Sequence, residues 1–575
     1  MEATVAKQVE AALEYIAWTV LWNKYFAVMF LLLGLYLTIG TRFFQFRRFG
    51  DIFYNTLGGL FRKKGPNVPD SKVSSFGAFA TALGGTVGNG NIAGVASAIA
   101  IGGPGALFWM WMAAIVGMIT KMSEIVLAQQ YKQRYEDGTS YGSAAFYIHK
   151  ALVEGKGWKW CKILSMLFTV TMIGSFYFAP GPYTIVEALQ SAFKLPGSVA
   201  IMCAVAYTGV CYVIVLGGIP RIVKFAERAV PTMVLCYLAA GIFIIIKDIP
   251  ATAAAIKSIF YYAFQPYAAV GGFAGVTVMK VVQVGVARSV YSNEAGWGSS
   301  PIIHAAVDVD HPGRQGLWGA MEVFMDTMVV CTITGLMVII TGAWQTGRGG
   351  AGSVGEALGI VFGGYAPHAL AFFMIIFSLT TTTGWFSYLE SIIVYCVSDK
   401  THEQRMKYVK FVRYTGPMVP LCVSMFFFYH GTVPSIVWMM LDIQSALPVY
   451  VNVIALTLLS PVIFKLVREF EDKFLDPEKA ARKGFRRTTT VMRKRSYVND
   501  FCNFNTGTMN RSDSRFTTVT RTFNICFYLS QAKIECNFST ILGSHLSCIR
   551  SILLRASESH LTSGRPADYL SFAIR

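Results

Sequence analysis

The sequence predicts an all-α polytopic membrane protein with about eleven spans, and three observations carry that expectation. The first is composition: 575 residues are 54% hydrophobic and only 14% charged, with a mean hydropathy of +0.48, whereas soluble domains carry about a quarter charged residues. The second is length: apolar runs of 17 to 33 residues recur near 25–41, 75–101, 105–129, 163–190, 198–217, 230–246, 271–300, 317–344, 365–397, 414–430 and 435–460, and about 20 apolar residues cross a bilayer as a helix. The third is charge placement: Lys and Arg number 22 in one alternating set of loops and 6 in the other. Cytoplasmic loops carry the excess, so the N-terminus is expected outside and the C-terminus inside.

These features also exclude classes. The net charge of +18 lies between apolar runs, where a membrane surface explains it and nucleic acid is not implied. Eleven cysteines scatter without a C-x-x-C pair, so neither a disulfide framework nor a zinc site is indicated. No cleavable signal precedes the first apolar run. No H-E-x-x-H or G-x-S-x-G motif occurs, and an enzyme is not indicated.

Residues 1–24 are expected as an extracellular N-terminal segment and 25–470 as the membrane domain. Between the first two spans, FFQFRRFGDIFYNTLGGLFRKK mixes aromatics with basic residues, as an interfacial amphipathic helix does. The second span, 76–103, is interrupted. Gly84, Gly85, Gly88 and Gly90 fall within seven residues beside Asn89 and Asn91. A spanning helix broken at mid-depth frees N–H and C=O groups that lipid cannot satisfy, so protein or a wet cavity must. Freed carbonyls hold cations and half-helix N-termini hold carboxylates. The G-x-G spacing follows no strand and precedes no Lys-Ser/Thr, so a nucleotide loop is rejected.

Setting the first span aside leaves ten, or two halves of five, at about 75–246 and 271–460. The segment opening the second half, near 271–300, is also irregular, with expected interruptions at Gln283–Arg288 and Ser292–Gly298. Interrupted segments at matching positions of two halves point to a transporter's binding site. Candidate substrate contacts are therefore Thr86, Asn89, Gly90 and Asn91 around the first interruption, and Gln283 and Gly285 in the second segment.

Ionisable residues within the spans include Glu124, Lys280, Arg288, Glu294, Glu322, Asp326, Glu390 and Asp442. Such groups pair or serve transport. Lys121 and Glu124 read as a snorkelling pair near a cytoplasmic end. Glu322 and Asp326 share a helix face and are expected to receive Lys280 or Arg288. The run Ser378–Thr383, SLTTTT, must point some hydroxyls off its own helix, and hydroxyl oxygens suit a hard cation such as sodium.

Several long motifs then stand together: GTVGNGNIAGVASAI, GPGALFWMWMAA, SNEAG-x-GS, HP-x-x-QG, F-x-DT-x-x-x-CT, TTTTGWFSYLES and VWMMLDIQSALP. In this order, over about residues 18–470, they resemble the alanine or glycine:cation symporter family. The resemblance implies a leucine-transporter-like fold of two inverted five-helix repeats plus one extra N-terminal span. It implies symport of a small neutral amino acid with sodium by alternating access, with Na+ held by carbonyls of Gly84 and Val87 and hydroxyls of Thr380 and Thr381. Proton coupling, a different amino-acid specificity, or a non-concentrating channel or receptor on the same fold are the alternatives. The chain departs from the family at MIGSFYFAPGPYTIVEAL, GSAAFY and LPVYVN, which bears on substrate choice. Residues 471–575 show no resemblance; from Arg486 onward 13 Lys and Arg face five acids, and a disordered cytoplasmic tail is expected.

Overall fold

The computed structural model describes residues 2–61, 73–88, 90–178, 181–265, 277–346, 350–429 and 434–476. Asn89, much of the basic loop before the second span, and the tail beyond Asp476 lie outside the described residues.

Helix α1 (Glu2–Glu14) passes through a π-helical stretch, Tyr15–Leu21, to α2 (Lys24–Gly40). Asn23 starts α2 by accepting from the Phe26 N–H at 2.9 Å, which satisfies one orphan donor of the first turn. The segment 1–24, expected as extracellular, is tied to the bundle. Trp22 Nε1 donates to the Asp442 carbonyl at 2.7 Å and Tyr450 Oη to Leu21 O at 2.6 Å. The expected interfacial helix is realised as two short ones, α3 (Phe44–Arg47) and α4 (Phe49–Asn55). Arg47 and Arg48 both reach Glu471, at 2.8 and 3.0 Å, closing the two ends of the helical domain on each other.

The first interrupted helix is α5 (Ser75–Thr86) and α6 (Val95–Gly102), joined through a π-helical turn at Gly90–Gly94. The first half-helix packs along two later spans, Gly218–Lys247 and Ala366–Cys396. Helix α7 (Gly105–Gln130) ends near a two-stranded ribbon, β1 (Gln133–Arg134) against β2 (Ser140–Tyr141). A short α8 (Ala144–Tyr147) leads to α9 (Cys161–Tyr177), α10 (Gly181–Phe193), α11 (Gly197–Val215) and α12 (Gly218–Lys247). The surface helix α13 (Ile249–Tyr262) ends the first half.

The second half repeats the plan. Helix α14 (Val278–Asn293) breaks at Glu294–Ser300 before the short α15 (Pro301–His304). Then come α16 (Pro312–Val323), a π-helical stretch Phe324–Cys331 and α17 (Thr332–Ile340), forming one long rod. Helix α18 (Gly350–Phe362) follows as a short piece. Helices α19 (Ala366–Cys396), α20 (His402–Thr415), α21 (Met418–Tyr429) and α22 (Pro434–Phe470) complete it. Among the described residues nine helical stretches are long and apolar enough to cross a membrane. The two interrupted segments stand beside them. Exposed Leu, Ile, Val and Phe along α9, α11, α12 and α19 present the apolar outer surface such spans need.

One expected interruption is corrected. Helix α14 runs unbroken through Gln283–Arg288 because each residue there has a partner. Gly285 lies where a Cβ would come within 2.7 Å of the Trp109 side chain, so it serves close packing on α7. Gln283 donates to the Trp18 and Trp22 carbonyls at 2.9 and 2.6 Å. Arg288 forms a two-pronged pair with Asp442 at 2.7 and 3.1 Å. Unwinding here would break these buried contacts and release further backbone groups, so the helix continues.

Candidate functional site

The first break forms because glycines remove the side-chain constraints that hold a helix, and because neighbours take up the freed groups. Val87 turns to extended backbone after α5. The Asn91 side-chain Oδ1 then accepts from the Gly88 N–H at 3.0 Å, while its Nδ2 donates to Asp326 at 2.7 Å. On the other side stands α19. Of its four consecutive threonines, Thr380 and Thr383 bond back to their own helix, at 2.9 Å to Phe377 O and 2.8 Å to Leu379 O. Thr381 Oγ1 instead donates to Gly84 O at 3.1 Å, and Thr382 Oγ1 meets Tyr207 Oη at 2.8 Å.

The second break is braced by charge. Lys121, fully buried, donates to the Asn293 carbonyl at 2.6 Å and to Glu322 at 2.5 Å. Glu322 also accepts from Ser300 Oγ at 2.9 Å and lies 3.4 Å from His304 Nε2. Asn452 donates to Gly296 O at 2.9 Å and to Glu124, and accepts from Tyr147 Oη. Three sequence expectations are thereby corrected. Lys121 does not snorkel with Glu124; it reaches across to α16. Glu322 takes Lys121 rather than Lys280 or Arg288. Asp326 takes neither, and accepts from Asn91, Ser292 at 2.9 Å and Thr327 at 2.8 Å. Asp326 thus joins the two breaks, since Asn91 belongs to one and Ser292 to the edge of the other.

A cavity of about 90 Å³ lies between them. The first break lines it with Gly85, Thr86, Gly88 and Gly90; the second with Tyr291, Glu294 and Trp297; α19 with Ser378, Thr381, Thr382 and Trp385; and Ser175, Phe176, Gly181, Pro420 and Leu441 close the rest. A dry cavity of 150 Å³ holds benzene, so this one fits a solute of a few heavy atoms. One wall is backbone and hydroxyl; the other is aromatic, with Trp297 and Trp385 edge to face at 5.2 Å.

Of the residues singled out from sequence, Thr86 and Gly90 line the cavity, and Gly84 and Thr381 meet at its edge. Thr380 packs beside Gly84 but turns its hydroxyl to its own helix. Val87 is buried in the break. Asn91, Gln283 and Gly285 do not line the cavity: Asn91 is buried against Asp326, Gln283 holds the N-terminal segment, and Gly285 packs on α7. Glu294, Trp297, Tyr291 and Trp385 were not singled out as contacts. Their motifs, SNEAG-x-GS and TTTTGW, carried the signal. Aromatics in a span otherwise look the same whether they pack or line a site.

The model of the sodium:alanine symporter family matches residues 6–483, and the chain belongs to that family. An uncharacterized transporter of Haemophilus influenzae is 37% identical over 446 residues, covering 76% of this chain and 91% of its own length. The sodium/alanine symporter AgcS of Methanococcus maripaludis is 33% identical over 465 residues, covering 78% and 95%. Among solved structures, that of MhsT in complex with L-phenylalanine aligns with a TM-score of 0.46 at 14% identity, over 70% of this chain and 99% of that one. The chain is a helical, multi-pass membrane transporter.

Proposed function

We propose that this protein is a secondary active symporter that couples sodium entry to uptake of a small neutral amino acid, alanine- or glycine-like, by alternating access. The observation that carries the reading is the contact of Thr381 Oγ1 with the Gly84 carbonyl at 3.1 Å, beside a small cavity enclosed by two broken helices. Hydroxyl and freed carbonyl oxygens are the donors a sodium ion takes in such folds, and the half-helix beginning at Gly90 offers N–H groups to a carboxylate. In this reading Gly84, Val87, Thr380 and Thr381 serve sodium, with Thr380 rotating its hydroxyl off Phe377 O. Thr86, Asn89 and Gly90 serve the substrate, while Asn91, Gln283 and Gly285 support the site from behind. A relative in Bacillus subtilis is named a putative sodium/proton-dependent alanine carrier protein. Proton coupling is a second reading, supported by Glu124 and Asp326, which have no Lys, Arg or His within ion-pair distance among the described residues.

Radiolabelled alanine and glycine uptake into proteoliposomes tests this. Accumulation above equilibrium is expected only with an inward sodium gradient. Equilibration without accumulation would leave a channel or receptor, and accumulation under a proton gradient alone would replace sodium by protons.

Orientation follows from the same reading: the plasma membrane, N-terminus outside, C-terminus inside. A single cysteine at Lys257 on α13 should react with impermeant thiol reagents in intact cells, while one at Lys407 on α20 should not. The reverse pattern would invert the topology.

A further inference from the structure

The turn Glu294–Trp297, part of the second break, carries two side chains that the proposed transport reading leaves without a task. Glu294 adopts φ +55°, a conformation non-glycine residues seldom take and that clusters at ligand sites. The Trp297 N–H closes the turn on the Glu294 carbonyl at 3.1 Å. Both residues therefore sit on one wall of the cavity, facing Gly85–Gly90. Glu294 is 2% exposed. Its carboxylate accepts from Ser299 Oγ and, at 3.1 Å, from Trp385 Nε1. Both are neutral donors, and no Lys, Arg or His lies within ion-pair distance among the described residues. Trp297 is 3% exposed, and its indole Nε1 is a buried donor with no acceptor. A buried carboxylate without a cation and a buried N–H without an acceptor are each costly. Side by side in one cavity wall, they are complementary to a group bearing a cation next to an anion.

We infer that this turn reads the polar head of the transported molecule: the Glu294 carboxylate receives the ammonium, and Trp297 Nε1 donates to the carboxylate. The inference rests on the amino-acid reading above and adds the residues that demand a free α-ammonium. A deaminated acid would leave Glu294 buried and unpaired, so the site discriminates against it.

Calorimetry on the purified full-length protein at saturating sodium tests it. The probes are L-alanine, glycine, L-glutamine and L-phenylalanine, each beside its deaminated acid. Wild type is expected to bind at least one amino acid and to reject the matching acid. Glu294→Gln should lose affinity for the amino acid by about 30-fold or more and lose most of that discrimination. Sodium affinity should be unchanged. Trp297→Phe keeps the ring, removes the N–H, and should weaken binding about tenfold while still preferring the amino acid. Wild type binding none of the probes would overturn the amino-acid reading and this inference with it. Wild-type binding that survives both substitutions would overturn the inference alone, as would a Glu294→Gln variant altered in sodium rather than substrate affinity. Should Glu294→Gln not fold, the tenfold loss in Trp297→Phe decides.

Discussion

The two helix breaks face each other across one cavity, yet they are built from different chemistry. The first, at the glycines before the second half-helix, is lined by neutral contacts, Asn91 to Gly88 and Thr381 to Gly84, with a single carboxylate, Asp326, behind Asn91. The second, at Glu294–Ser300, is held by a buried network in which Lys121, Glu322, Ser300 and His304 converge, with Asn293 bonded to Thr327 and Asn452 to Gly296. A neutral break leaves carbonyls and N–H groups accessible to an ion or a solute. A charge-braced break is costly to deform, because parting a buried pair exposes an uncompensated charge. The contrast assigns the first break to binding small ligands through backbone and the second to serving as a fixed wall.

The largest expected effect breaks the braced side. Lys121→Met leaves Glu322 buried with only Ser300 and His304, and should cost about 3–5 kcal/mol of stability. Thermal unfolding in detergent, followed by size exclusion, would show it. Lys121→Met with Glu322→Leu should recover part of the loss, since no buried charge is then unpaired, while the Asn293 carbonyl and Ser300 hydroxyl still lose their partners. A single variant as stable as wild type would remove the distinction between the two breaks.

A smaller effect is expected on the glycine side. A Cβ at Gly90 would come within 3.2 Å of the Tyr291 ring, tight but relievable, and would narrow the mouth of the half-helix. Gly90→Ala should weaken amino-acid binding about tenfold, or about 1.4 kcal/mol, with melting temperature and sodium affinity near wild type. Calorimetry of both ligands measures this. Wild-type substrate affinity would return Gly90 to helix packing.

The smallest effect sharpens the sodium assignment. Thr381→Val keeps shape and removes one hydroxyl, worth about 0.5–1.5 kcal/mol for a single hydrogen-bonding group. The sodium concentration giving half-maximal uptake should rise several-fold while protein yield and melting are unchanged. Sodium dependence identical to wild type would place the ion elsewhere.

Much of this architecture was legible in the linear order of residues. Long apolar runs must span as helices because hydrocarbon leaves their backbone no other partner, so composition and run length were enough for the class. Four glycines in seven residues mark the first break because glycine weakens a helix locally. Motif order identified the family. What only the tertiary structure decided is which buried group meets which. Lys121 pairs with Glu322, 201 residues away, rather than with Glu124 one turn along. Arg288 pairs with Asp442, 154 residues away. Gln283 was expected at the substrate and instead holds Trp18 and Trp22, while Glu294 and Trp297 line the cavity. Periodicity fixes which helix a residue occupies; the direction its side chain takes, and the partner waiting there, depend on how spans distant in sequence pack. In a low-dielectric interior a buried charge left without its partner costs several kcal/mol, so partner choice falls to long-range packing and not to the local pattern.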